Sequence, residues 1–289
     1  MTDRTQQDSP NVHASSTGQA MTGGGWLDVH FEMARPEYEA QLRAVGIRPG
    51  WRVLDAAAGS GSFLPWLAEL VGQDGALAAL DLAPDNAALV ERRAAGWGLP
   101  CPLEVRVGTV LALPYPDASL DAVWFANTSQ YLTDEDLATA LTEFRRVVRP
   151  GGLVAVKEAD GTLNRVLPGP PGLVLRAIAG WAAAGEVQWR GCLRAAELRA
   201  WLCGAGLAGV WGRAALIERA APLDPTTRRY YRDTLTFVAA RVTDLDLPAA
   251  DAALWARLRD PAALDRFLDD PDFYASEGNI LAVGTVPLP

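Results

Sequence analysis

The segment Val53-Leu54-Asp55-Ala56-Ala57-Ala58-Gly59-Ser60-Gly61-Ser62-Phe63 gathers residue types that let a backbone close around a small ligand. Small residues at Ala57, Gly59 and Gly61 allow a sharp strand-to-helix turn and a close approach to a bound molecule. Asp55 sets a carboxylate at the mouth of that turn. Asp81 follows twenty residues after Gly61, where an acid can accept both hydroxyls of a ribose. Two ligand classes use such a layout, dinucleotides and S-adenosylmethionine.

Spacing separates them. The dinucleotide fingerprint is G-x-G-x-x-G; counted from Gly59, its third glycine falls on Leu64. A carboxylate at Asp55 would oppose a pyrophosphate but suits a cation, and S-adenosylmethionine carries a sulfonium, an ammonium and no phosphate. Each acid also has a purely structural reading, compatible with ligand binding: Asp55 as a turn acid satisfied by backbone N–H groups, Asp81 as an N-cap of the following helix.

Positioning these residues requires strands. Trp51–Asp55 and Gly75–Asp81 are short apolar runs, each ending in an acid. Leu103–Val107, Leu120–Ala126 and Leu153–Lys157 continue the series, the last after a Pro150-Gly151-Gly152 turn. Helical spacing fills Phe63–Val71, Pro84–Trp97 and Asp134–Val148 between them. Strands alternating with helices predict βαβ units. The expected fold is α/β, a Rossmann-like, doubly wound, mostly parallel seven-stranded sheet with helical insertions, its ligand lying beyond the strands' carboxyl ends at the switch point. Residues 1–24 are Ser/Thr/Gln/Gly-rich and predict a disordered tail. Residues 25–45 predict helices broken near Arg35-Pro36, and 46–160 the core. At 161–192 the rhythm breaks into a loop plus helix. Core resumes over 193–220, a second helical insertion spans 221–272, and 273–289 supplies the final strand.

Four segments occur in order across 53–160: VLDAAAGSGSF (53–63), ALDLAPDN (79–86), VRVGTVLALPYPDASLDAVWFANTSQYL (105–132) and EFRRVVRPGGLVAVKEAD (143–160). Together they resemble the class I S-adenosylmethionine-dependent methyltransferases, particularly the small-molecule branch with the ubiquinone/menaquinone-type core. The resemblance implies that Asp55, Ala57, Gly59 and Gly61 line the methionine and sulfonium end of the cofactor. It implies that Asp81 binds the ribose hydroxyls with Leu82 against the adenine, that Thr109 and Val110 flank the adenine's amino edge, and that Asn127 lies beside the transferred methyl. Two positions depart from the family pattern. Ala57 replaces a glycine, and a methyl group there is tolerated if the backbone φ is negative. Thr109 replaces an acid, and its hydroxyl accepts a hydrogen bond more weakly.

The implied activity is methyl transfer to a small organic acceptor by in-line displacement. The donor is already activated, so the protein contributes approach geometry and water exclusion, and a base only for a hydroxyl or acidic-carbon nucleophile. His30 is a candidate, in a helix over Trp26–Met33 that the family often uses as a lid; the alternative is a packed or surface histidine. Glu158 and Asp160 are expected on the same rim, with capping or Arg pairing as the alternative. Tyr131 and Gln130 are candidates for orienting a polar acceptor. The two insertions fall where the family builds its acceptor lid and pocket, and carry Trp181, Trp189, Tyr230, Tyr231, Phe237, Trp255 and Phe267, as pocket wall or as core. The run Arg228-Arg229-Tyr230-Tyr231-Arg232 is either a holder for an acidic group or a solvated helix face. The competing readings are a catalytically silent cofactor-binding regulator and an NAD-dependent oxidoreductase.

Composition narrows the partners. With Lys+Arg 26 against Asp+Glu 35 the formal charge is −9, a field that repels nucleic acid and anionic membranes alike. No basic, aromatic-interleaved patch suggests RNA. No run of about 18 apolar residues predicts a membrane span, and the N-terminus lacks the apolar segment of a secretory signal. Cys101, Cys192 and Cys203 have no zinc spacing; no metal site is expected. Buried, reduced thiols are, and with them a cytoplasmic compartment. A single lysine, Lys157, among 26 basic residues fits the codon bias of a GC-rich, bacterial genome.

Overall fold

The computed structural model describes residues 24–289, with side chains from Asp28 onward. The tail expected over 1–24, His13 included, lies outside the described residues except for Gly24. One sheet organises the chain: β1 (Arg52–Ala56), β2 (Ala76–Asp81), β3 (Leu103–Val107), β4 (Leu120–Ala126), β5 (Val148–Leu167), β6 (Ala208–Ala220) and β7 (Tyr274–Thr285). Their spatial order is β3-β2-β1-β4-β5-β7-β6. Neighbours from β3 to β5 are parallel, and β7 runs antiparallel between β5 and β6. The order reverses between β1 and β4, which opens the crevice for a ligand.

The central strands are apolar almost throughout because both faces are covered. Successive side chains feed opposite sides: Val53, Trp124 and Ala155 enter one core, Leu54, Phe125 and Val156 the other. On the first side lie α1 (Gly24–Met33), α2 (Arg35–Ala44), α3 (Leu64–Val71), α4 (Pro84–Trp97), α6 (Leu173–Ala183), α9 (Pro225–Arg241), α10 (Ala249–Leu258) and α11 (Pro261–Leu268). On the second lie α5 (Asp134–Val147) and α8 (Leu198–Gly204); α7 (Val187–Arg194) packs on α6 and the turn at Ser129–Tyr131. Local chemistry sets the helix starts. Thr133 caps α5 by accepting from the Asp136 N–H at 3.0 Å, and Asp224 caps α9 from Thr226 and Thr227. Proline stands in the first turn of α2, α3, α4, α9 and α11.

Two expectations are corrected. The Pro150-Gly151-Gly152 segment is not a turn before a new strand but lies inside β5, where Leu120 and Ala122 of β4 oppose Val148 and Leu153 and the extra residues bulge out. Nor does β5 stop near Asp160. After an irregularity between Asp160 and Arg165 it continues, pairing Arg165, Val166 and Leu167 with Ser276, Ala275 and Tyr274. The helix within 161–192 starts at Leu173, after β5 has taken up Arg165–Leu167.

Candidate active site

A cavity of about 540 Å³ sits at the carboxyl ends of β1 and β4 on the first-core side, a size ordinary for small-molecule sites. One end is the glycine turn. Gly59 has φ +56°, and a Cβ there would meet no atom within 4 Å, so its bare flank lies along the cavity. Gly61, φ +77°, is required by packing: a Cβ would fall 2.9 Å from Trp97 Cη2, 3.0 Å from Val90 Cγ2 and 3.1 Å from Leu64 Cδ1. Ala57 does not meet the condition of a negative φ. It stands at +62°, and Asn127 at the tip of β4 stands at +55°. Left-handed backbone costs an alanine about 1 kcal/mol, whereas asparagine tolerates it. Both line the cavity, so strain gathers at the two strand tips where a ligand would sit.

Asp55 is buried, and its Oδ2 has no hydrogen-bond partner. Burial first, then the neighbouring Asp81 charge, pushes its carboxyl up to about 8. Asp81 Oδ2 accepts from the Gly59 N–H at 2.7 Å. Its Oδ1 accepts from the Ala83 N–H at 2.9 Å and from Asn86 Nδ2 at 3.0 Å. Asp81 therefore ties the glycine turn to the entry of α4, and burial raises its carboxyl against those three donors. Both acids line the cavity. Leu82, Thr109 and Val110 are not among its lining residues. The Thr109 hydroxyl accepts from the Leu111 N–H at 3.2 Å, and Val110 is buried in the second core.

Against the far half of the cavity lies a polar cluster among rings, of which His30, Tyr38, Tyr230 and Glu277 line the cavity and Lys157 is buried behind them. His30 lies on α1 as expected and lines the cavity. Its Nε2 is 3.0 Å from the Tyr38 hydroxyl, and its ring stacks on Tyr230 at 5.2 Å and 12°. Burial, reinforced by the Lys157 charge, pushes it down to about 3. Lys157 Nζ donates to Asn127 Oδ1 at 2.5 Å and lies 3.5 Å above the Tyr38 ring. Burial pushes this ammonium down to about 7, against Glu158 and Glu277. Glu277 accepts from the Tyr230 hydroxyl at 2.9 Å, and burial pushes it up to about 7. Tyr38, Lys157 and Glu277 were not singled out by sequence reasoning. One signal was present: the chain's single lysine, in an apolar strand of a parallel sheet.

Glu158 and Asp160 do not reach the rim; neither lines the cavity, while Ala159 between them does. Alternation along β5 turns both acids to the other face. Glu158 accepts from the Ser129 hydroxyl and the Gln130 N–H at 2.9 Å each, from Gln130 Nε2 at 3.1 Å and from the Ala159 N–H at 2.8 Å. It anchors the turn that presents Gln130 and Tyr131, both of which line the cavity. Asp160 accepts from the Thr162 N–H at 2.9 Å. Burial pushes the Tyr131 hydroxyl up.

Trp181, Trp189, Tyr230, Tyr231, Phe237 and Trp255 line the cavity; Phe267 packs edge-on to Phe273 at 5.8 Å in the core instead. Lining residues with buried polar atoms that lack a hydrogen-bond partner include, besides Asp55, Thr234 Oγ1, Trp255 Nε1 and Asn279 Oδ1. The Arg228–Arg232 run is engaged by acids: Arg228 with Asp265 and Asp269, Arg229 with Asp233, Arg232 with Asp265. Over the glycine turn, Arg93 holds α1 through Asp28 at 2.6 and 3.0 Å and also donates to the Ser60 carbonyl at 3.2 Å. Cys101 and Cys192 are buried, but Cys203 is exposed, one position past Leu202, the residue α8 turns inward. Among the described residues no group of three or more His, Cys, Asp or Glu could hold a metal ion, and no helix is long and apolar enough to cross a membrane.

A strand order reversing between β1 and β4, a glycine turn with an unpartnered acid and a second acid at the tip of β2 are the arrangement that the sequence resemblance to class I, S-adenosylmethionine-dependent methyltransferases leads one to expect. Residues 53–152 match the methyltransferase domain family. The chain is 34% identical over 129 residues to an uncharacterized 37.1 kDa protein in transposon TN4556 of Streptomyces fradiae, covering 45% of this chain and 36% of that protein. It is 31% identical over 122 residues to the ubiquinone/menaquinone biosynthesis C-methyltransferase UbiE of Teredinibacter turnerae, covering 42% of this chain and 48% of that one. The matched region thus spans less than half the length of either relative. In fold it resembles the YcgJ protein of Bacillus subtilis, with a TM-score of 0.55 at 15% identity, over 88% of this chain and 100% of the other.

Proposed function

We propose that the protein transfers a methyl group from S-adenosylmethionine to a small organic acceptor. The observation that carries this reading is Asp55: a cavity-lining carboxylate, buried, with one oxygen unpartnered, beside a turn bare of side chains at Gly59. A buried anion without a partner is costly, and the ammonium and sulfonium of S-adenosylmethionine are the charges that would satisfy it. A pyrophosphate would aggravate it, which disfavours a dinucleotide and with it the oxidoreductase. When bound, the cofactor supplies an activated methyl. Asp55 would take the cationic end and Asp81, with one acceptor site left beyond its three donors, a ribose hydroxyl. Gly59 and Ala57 would border the methionine portion and Asn127 the methyl. The adenine-side role of Leu82, Thr109 and Val110 rests on the family resemblance alone.

The aromatic half of the cavity is the proposed acceptor chamber. Helix α1 would act as its lid, excluding water and holding acceptor and donor in line. The shared quinone-methylating relatives favour an apolar acceptor. Calorimetry tests the assignment. S-adenosylhomocysteine is expected to bind and NAD(H) not to bind, and Asp81→Ala to weaken binding by about a hundredfold or more, the scale of one or two lost charged hydrogen bonds. Unchanged affinity in that variant would refute the ribose contact. A silent regulator would bind the cofactor and transfer nothing across a broad acceptor screen.

A further inference from the structure

We propose that Glu277 is the base on the acceptor side of the cavity and that the acceptor is an aromatic molecule presenting a hydroxyl to it. This rests on the methyltransferase reading above and assigns it a substrate class. Among the described residues, four acids line the cavity. Asp55 and Asp81 belong to the glycine turn, and Asp233 pairs with Arg229 on the outer face of α9. Glu277 alone lies among the acceptor-side rings. Its place on β7 is built by the sheet irregularity: Gly278 pairs with Asp160 and Ser276 with Arg165, so Glu277 stands opposite the four bulged residues 161–164. A bulge re-aims a side chain in this way beside active sites.

The charged and titratable groups around Glu277 come from every neighbouring element. Tyr230 and Tyr231 face it from α9, Lys157 from β5, Arg219 from β6 and Tyr38 from α2. Lys157, buried behind the lining, also donates to Asn127 at the tip of β4, so its charge acts on both the glycine-turn end of the cavity and Glu277. The flanking walls are rings: the His30–Tyr230 stack, the Trp181–Trp189 stack at 4.7 Å and Trp255. The ammonium of Lys157 already offsets the Glu277 charge, so the chamber has little net attraction for a cationic amine. A neutral hydroxyl on a flat ring satisfies both the carboxylate and the walls. In the transfer, the acceptor oxygen forms its bond to the methyl carbon while the carbon–sulfur bond breaks and its electron pair returns to sulfur. The hydroxyl proton passes to Glu277 and leaves to solvent after product release. A carboxyl near 7 is matched to this task; His30, near 3 and engaged with Tyr38, is not.

The test titrates 1-naphthol, 1-methoxynaphthalene and the cationic 1-naphthylmethylamine into the full chain saturated with S-adenosylhomocysteine, for the wild type, Glu277→Gln and Glu277→Asp. The wild type is expected to bind 1-naphthol about tenfold more tightly than either analogue, a preference Glu277→Gln loses and Glu277→Asp keeps in part, with S-adenosylhomocysteine affinity equal in all three. With S-adenosylmethionine and 1-naphthol, 1-methoxynaphthalene is expected by mass spectrometry, at a kcat that rises with pH through about 7 in the wild type. In Glu277→Gln that kcat falls about a hundredfold and its pH limb disappears. Equal naphthol binding in wild type and Glu277→Gln, tighter binding of the amine, or no binding or methylation of the naphthol by protein that does bind S-adenosylhomocysteine would each overturn the proposal. Failure of S-adenosylhomocysteine itself to bind would instead remove the methyltransferase reading beneath it.

Discussion

Asp55 couples proton and ligand. Its carboxyl is raised to about 8 by burial and by Asp81, so near neutrality the empty protein holds it protonated, while a cationic ligand needs it ionised. Cofactor binding at pH 7 is therefore expected to release a proton. Affinity should climb by up to about tenfold per pH unit from 6 toward 8 and level off above, following linkage. Calorimetry in buffers of different ionisation enthalpy measures the released proton, and Asp55→Asn should abolish it. The same shift acts on stability with a definite sign. The unfolded carboxyl ionises near the ordinary value of about 3.9, so between pH 4 and 8 the unfolded chain has shed a proton that the folded chain keeps. Its contribution is fully present below that range and is lost as pH rises to 8. Without ligand, Asp55→Asn should melt above the wild type at pH 8, with the gap closing toward pH 5. The adjacent glycines separate two other causes: Gly61→Ala must displace Trp97 and Val90 and should cost about 1–3 kcal/mol of stability in denaturant melts, whereas Gly59→Ala meets only open space and backbone strain.

At the scale of elements, one arginine ties α1, the proposed lid, to the glycine turn. Arg93 on α4 bridges Asp28 on α1 and the Ser60 carbonyl of the glycine turn, so the position of α1 and the shape of the turn are coupled. The ion pair is partly exposed, and a double-mutant cycle on Arg93→Ala and Asp28→Ala should give a coupling of only about 0.5–1 kcal/mol. Its functional trace should be larger: hydrogen exchange of α1 amides is expected to accelerate in either variant, and cofactor dissociation with it. Elements with their own punctuation could be read from the residues alone. Pro84 opens α4, and β3 and β4 keep the bounds that their apolar runs mark out. The length of β5 could not, because Arg165–Leu167 are strand only through Tyr274–Ser276, more than a hundred residues away. The acceptor cluster failed for the same reason. Tyr38 looks like any apolar position of an amphipathic helix and Glu277 like the start of a final strand; only the bulge and the packing of α2 and α9 bring them to Lys157.

Across the whole molecule, the sheet divides the protein into two cores that should answer differently to damage. The cavity is walled by the first: Phe31, Tyr38, Phe63, Tyr230 and Trp255 belong to that core and line it. No buried residue of the second core, where Phe144 of α5 packs on Phe125 at 5.1 Å, lines it. Phe144→Ala and Trp255→Ala each delete a fully buried ring and should each cost about 3–5 kcal/mol in unfolding. Their effects on ligands should diverge. With Phe144→Ala, S-adenosylhomocysteine affinity measured well below the melting temperature should stay within about twofold of the wild type, a change under 0.5 kcal/mol, because the strands between that core and the cavity are pinned from both faces. Trp255→Ala opens the acceptor chamber directly: naphthol affinity should fall while S-adenosylhomocysteine, seated at the glycine turn, is held as before. Measuring both variants by calorimetry and thermal melts separates stability from binding. Loss of cofactor affinity in Phe144→Ala would mean that the sheet transmits strain between its faces and that the two cores are not independent.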